Sequence, residues 1–294
     1  VVNKENIVPF SKRNKILGLP VIRGFVTLLD SLIIGIKTLN YSASFFEEDE
    51  EPSKFEKWLN DKFKGKSSDI IMAFSLILSL VISVGVFVYI PTLVANLFKV
   101  KISSSVGLNI IEGVIRVVIF LLYIVLISNM KDIYRVFQYH GAEHKTIFCY
   151  ENEEELTPEN AKKYKRLHPR CGTNFMFLVM IVSILLLSLT PWNSIWERML
   201  YRIILLPVVS GVAYELIKWM GKSDSIISKI LVYPGLMLQK LTTKEPDLSM
   251  LEVAIKALKV SEGIEDVEDV EDIEDIERIE EVEDIKEVIC EVEN

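Results

Sequence analysis

The chain has 294 residues, half of them hydrophobic, a mean hydropathy of +0.31 and a formal net charge of −8. Those averages hide long runs without charge, which exclude an ordinary soluble globular protein. They also leave nucleic-acid binding without support, because the basic residues follow loop positions and the C-terminal stretch is acidic.

In chain order, residues 20–41, "PVIRGFVTLLDSLIIGIKTLNY", are apolar except along one stripe. Arg23, Asp30 and Lys37 are spaced by sevens and share a helix face. An interfacial helix or a re-entrant one fits this pattern better than a full crossing. Residues 45–69 are polar. Ser53 to Glu56 has capping-box spacing, and Phe55, Trp58, Leu59 and Phe63 fall on one face of a predicted surface helix.

Between Asp69 and Lys99 there is no charge at all, and a second uncharged run extends from Cys171 to Trp196. Each exceeds the ~20 residues needed to cross hydrocarbon as a helix. Residues 108–130 and 199–220 read as two further spans that carry charges. The intramembrane charged residues are Glu112, Arg116, Arg202 and Glu215. Glu112 and Arg116 lie four apart and can pair. They form either an ion pair near a membrane surface or a charged face turned to a protein interior or wet cavity. Residues 225–241 are interrupted by Pro234–Gly235, which predicts a broken, re-entrant or interfacial segment.

The expected fold is therefore an all-α polytopic membrane protein. It has about four transmembrane helices plus interfacial or broken helices near both ends. The expected organisation is an N-terminal amphipathic segment, 1–68, a membrane domain, 69–245, and an acidic low-complexity tail, 246–294. Lys and Arg number eleven before the first span, two in 99–107, eight in 131–174 and one, Arg198, near 191–198. That alternation puts both termini and the 131–174 loop in the cytoplasm. No signal peptide is expected at the start. Cys149, Cys171 and Cys290 give no disulfide pattern. Within the tail, 262–294 carries a net −15 against +7 for the rest, and Ile or Val recurs every third residue from Ile264 to Val288. A period of three suits neither helix nor strand, so disorder or an adaptable tail is expected.

All three histidines lie between the two central apolar segments. In "HGAEH", His140, Glu143 and His144 stand at i, i+3 and i+4. On a helix two imidazoles so spaced can bind one divalent metal, and a neighbouring carboxylate can take a proton from metal-bound water. The string is the inverted form of the zinc-peptidase signature. His168 and Cys171 follow in "HPRCGTNF", which completes a set of nitrogen and sulfur donors suited to zinc. The expected ligands are thus His140, His144, His168 and Cys171, with Glu215 as another candidate and Glu143 as general base. Three readings stay open: a metal-dependent hydrolase acting on a small molecule or peptide, a homo-oligomeric pore or transporter, and a protein in which a closed metal site merely staples the structure. No Walker loop, G-x-G-x-x-G or G-x-S-x-G motif competes.

"FQYHGAEHKTI", the glutamate-rich "ENEEELT" and "HPRCGTNF", together with "PVIRGFVTLLDSL", resemble the YqhQ family of bacterial membrane proteins. The resemblance spans most of 9–245. It implies His140, Glu143, His144, His168 and Cys171 as signature positions and a multi-pass protein of the bacterial cytoplasmic (inner) membrane. The acidic repeat tail is not a feature associated with that family.

Overall fold

A computed structural model describes residues 2–5, 7–13, 15–44, 67–223 and 225–265. Among these residues every regular element is helical. The surface helix expected over 45–69 lies almost wholly outside them, as does the repeat tail from residue 266. The chain divides into two compact units. One, the apolar unit, comprises Val8–Leu126 and Pro169–Gly235; the other, the histidine-bearing unit, comprises Val1–Ile7, Ile127–His168 and Leu236–Asn294.

The apolar unit begins with a single turn, α1 (Phe10–Arg13), and a long helix, α2 (Ile22–Ser44). α2 is unbroken, so an interrupted helix over 20–41 does not apply. The Phe10 N–H donates to Asp30 Oδ2 at 3.0 Å and ties the two together. Next come α3 (Ser67–Val84), a π-helical turn (Gly85–Tyr89), α4 (Ile90–Asn96) and a 3₁₀ turn (Leu97–Val100), all in one continuous rod. Phe74–Val100 (27 residues), α5 (Ser105–Ile127, 23 residues) and α9 (Ile195–Met220, 26 residues) are long and apolar enough to cross a membrane. At 1.5 Å per residue each exceeds the ~30 Å hydrocarbon layer. Phe74, Ile77, Leu80 and Val81 of α3 are more than 60% exposed, a surface that needs lipid or another apolar cover.

The fourth expected span is shorter than its uncharged run. α8 covers Gly172–Ser188, 17 residues, which rises only ~25 Å. Pro191 explains the early stop, because a residue before proline is steered out of the helical region. Ser194 then starts α9 by accepting the Glu197 N–H through its hydroxyl. Leu178, Val182, Val209 and Ala213 form the buried seam between α8 and α9.

The break expected at Pro234–Gly235 does not occur. α10 runs through it from Ile226 to Thr242. A Cβ on Gly235 would lie 1.9 Å from Asn174 Oδ1, so this position serves close approach of a neighbouring side chain rather than a break.

The histidine-bearing unit is built on α6 (Lys131–Glu151), the short α7 (Pro158–Lys162), the end of α10 and α11 (Leu248–Glu262). Residues 248–262, grouped with the tail in the sequence, thus form a packed helix. Asp247 caps it by accepting the Met250 N–H at 2.9 Å, and Gly263, at φ 71°, ends it. Met250, Leu251 and Ile255 pack against Ala142, Cys149 and Ala161. Leu251 is fully buried there. Leu251→Ala is expected to destabilise this unit by about 2–5 kcal/mol, from lost burial and the cavity left behind. Chemical unfolding of the detergent-solubilised protein checks this.

Candidate metal centre

α6 places His140 and His144 one turn apart, with ring centroids 4.4 Å from each other. One ligand atom of each lies within 4.8 Å of the other. His140 Nδ1 is 2.9 Å from the Thr242 carbonyl oxygen, and His144 Nδ1 bonds the Arg166 carbonyl oxygen. A carbonyl can only accept, so both Nδ1 atoms carry the proton and both lone pairs sit on Nε2.

His168 is buried in the same unit. Its ring centroid is 5.8 Å from that of His144 and 4.6 Å from that of Phe148. Its Nε2 faces Glu151 Oε2 at 3.4 Å. The fully buried Gln239 grips its backbone from both sides, accepting the His168 N–H at 2.8 Å and donating to its carbonyl at 2.8 Å. Each of the three rings therefore has one nitrogen opposite an acceptor oxygen. Ligating histidines need this arrangement to fix tautomer and orientation.

Two further features hold the frame. Gly141 lies against the chain just after α10: a Cβ there would meet the Lys244 carbonyl oxygen at 2.1 Å. Buried Lys145 donates to the carbonyls of Lys162 (2.9 Å) and Tyr164 (2.8 Å) and pairs with Glu245 at 2.6 Å, fastening the segment after α7 to α6. Cys149 is fully buried and donates to the Glu155 carbonyl at 3.5 Å; burial pushes its thiol pKa up, so it packs rather than reacts.

Glu143 is exposed and lines a cleft of about 340 Å³ between α6 and α11, with Tyr139, Thr146, Ala254 and Leu258; neither His140 nor His144 lines it. Cys171 belongs to the apolar unit, where its sulfur caps α8 by accepting the Thr173 N–H at 3.4 Å. Glu215 is also in the apolar unit, in a two-point pair with Arg23 whose Nε–Oε1 distance is 2.6 Å.

Glu112 is 2% exposed, held inside the protein by arginines. Its Oε1 accepts from Arg116 Nη2 at 2.9 Å and from Arg202 Nη2, and its Oε2 accepts from Arg198 Nη2 at 2.9 Å. Arg198 was missed by the sequence reading, which counted it as a turn residue. Glu151 and Gln239 were missed too. Glu151 lies two helical turns beyond His144, a spacing that puts it on the same face.

A family model described as "Protein of unknown function (DUF1385)" matches residues 19–263. The chain belongs to that family. It is 37% identical over 251 residues to "Uncharacterized protein YqhQ" of Bacillus subtilis (strain 168), covering 84% of this chain and 78% of the relative. The YqhQ-like resemblance read from the motifs is thereby borne out. No solved structure matches. The family match includes all three histidines and the whole of α11.

Proposed function

We propose that this family member is a multi-pass protein of the bacterial cytoplasmic membrane whose histidine-bearing unit holds a divalent metal of zinc type on the cytoplasmic side. His140 and His144 are the first two ligands, through Nε2. His168, whose ring centroid is 5.8 Å from that of His144, is the third candidate, with Glu151 opposite its Nε2. The observation that carries this reading is the set of three oxygen acceptors, one per ring, that orient the histidines. Three buried or half-buried imidazoles of this kind suit zinc better than magnesium or calcium, which take oxygen ligands. Bound there, the ion would supply a cross-link between α6 and the segment that ends at His168.

A structural role is favoured over hydrolysis. A general base must reach the water it activates. Glu143 faces the α11 cleft, which neither His140 nor His144 lines. The proposal is tested by elemental analysis of protein purified without chelator and reloaded with zinc. Wild type should hold stoichiometric metal. His140→Ala and His144→Ala should weaken binding by more than the ~10–100-fold typical of losing an orienting partner. Glu143→Gln should keep both metal and thermal stability. Wild-type protein that takes up no stoichiometric zinc, or histidine variants that bind it as tightly, would overturn the metal site. Metal retained in Glu143→Gln together with loss of a zinc-dependent hydrolysis seen in wild type would restore the enzyme reading.

A further inference from the structure

The apolar unit contains a charge imbalance. Arg116, Arg198 and Arg202 surround one carboxylate, Glu112. No second acidic side chain pairs with any of the three among the described residues. The three arginines and Glu112 therefore carry an excess of two positive charges, with the neighbouring Glu197 turned to Asn193 instead. Charge in such a setting is costly unless compensated.

The arginines are held firmly rather than left to reach water. Pro91 has no N–H to offer the carbonyl of Phe87, four residues back. Arg116 Nε supplies the missing donor at 2.9 Å. Arg202 Nη1 donates to Thr92 Oγ1 at 3.2 Å. Arg198 is 4% exposed and lies over the Trp192 ring, 3.5 Å from its centroid; its Nε has no hydrogen-bond partner. Three guanidiniums have been fixed at one place with donors to spare.

Arg116 and Arg202 both line a cavity of about 200 Å³. Ser183 adds a hydroxyl to it, and Val179, Leu187 and Leu205 make apolar walls. Leu206, another lining residue, is 48% exposed, so the cavity reaches the helix surface. At about 30 Å³ for a water-sized group, the space accommodates a small headgroup and a few methylenes.

We infer that this cavity binds an amphiphile with a phosphate monoester headgroup. The charge matches: a phosphate monoester carries about −1.5 to −2 at neutral pH, against an excess of two. Guanidinium groups are the side chains suited to phosphate oxygens, and Arg116 and Arg202 are the two that line the cavity. The apolar walls supply what a free ion could not use. This inference does not depend on the metal site.

The test uses the full chain in detergent and dihexanoyl phosphatidate as probe, with tryptophan fluorescence and thermal unfolding as readouts. Trp192, stacked on Arg198, reports on the cluster. Dihexanoyl phosphatidate should bind at least tenfold more tightly than dihexanoyl phosphatidylcholine or inorganic phosphate, and should raise the unfolding temperature. Arg202→Gln should weaken binding at least tenfold. Because that variant also disturbs the cluster, Ser183→Phe and Val179→Phe provide the second arm. They fill the cavity, leave all four charges in place, and should each weaken binding at least tenfold. Equal binding of the phosphatidylcholine would overturn the anionic headgroup. Equal binding of inorganic phosphate would show a free-ion site instead of an amphiphile site. Unchanged binding in both filled variants would overturn the cavity as the location.

Discussion

Glu112→Gln should leave the protein barely able to hold its fold in mild detergent, with a loss of about 3–5 kcal/mol. The substitution keeps the side-chain size and removes the only negative charge in the cluster. Three buried or half-buried guanidiniums then face one another, and the excess rises from two positive charges to three. The amide nitrogen makes this worse, because it is a donor among donors. The converse variant supplies the sign check. Arg202→Met takes away a positive charge and lowers the excess to one, so it should cost clearly less than Glu112→Gln, although Glu112 and Thr92 lose a partner. Thermal and denaturant unfolding of both variants in the same detergent measures the difference. If the two lose the same amount, or if Glu112→Gln is as stable as wild type, charge balance is not what holds these helices together.

Gly141→Val should cost about 3 kcal/mol or more, at the upper end of overpacking effects, and should take the metal with it. The clash is with backbone, not with a side chain that can rotate. The Lys244 carbonyl oxygen would stand 2.1 Å from the new Cβ and its carbon 3.3 Å. That strand of chain cannot drift away cheaply. The Lys244 N–H donates to the Phe137 carbonyl at 2.8 Å, and Gln138 Nε2 donates to the Glu245 carbonyl at 3.0 Å. Two residues earlier, the Thr242 carbonyl orients His140. Pushing the segment off α6 thus removes the acceptor that fixes one imidazole. Gly35→Ala is the control. Nothing lies within 4 Å of a Cβ at Gly35, and alanine there should be neutral or stabilising by about 0.5–1 kcal/mol. Unfolding midpoints and zinc content are measured side by side. Normal zinc uptake by Gly141→Val would show that the 242–245 segment does not orient His140.

What the sequence made legible follows from local period and composition. The uncharged run between Asp69 and Lys99 marked one helix long and apolar enough to cross a membrane, and i,i+4 spacing marked the Glu112–Arg116 pair and the two histidines of α6. What it hid depends on contacts distant in the chain. Arg198 and Arg202 reach Glu112 across 86 and 90 positions, which no window of periodicity can register. The acceptors for His140 and His144 are backbone carbonyls, and these carry no residue signature. Pro234–Gly235 looked like a break because both residues disfavour helix, yet packing against Asn174 outweighs that preference. α11 was obscured by the acidic run that follows it, although Leu248, Leu251, Ile255 and Leu258 already have helical spacing.

The separation along the chain between Glu112 and its arginines has a consequence for the order of biogenesis. Arg198 is made 86 residues after Glu112. At typical synthesis speeds of about 5–20 residues per second, the wait is roughly 4–17 s. During that interval Glu112 can be neutralised only by Arg116 on its own helix, with Thr92 from the preceding rod as a hydrogen-bond donor. The i,i+4 pair is thus an escort that lets a charged helix be inserted alone. Arrival of α9 then converts this provisional pair into the finished cluster, so the last long apolar helix to be translated is the one that locks the earlier ones in register.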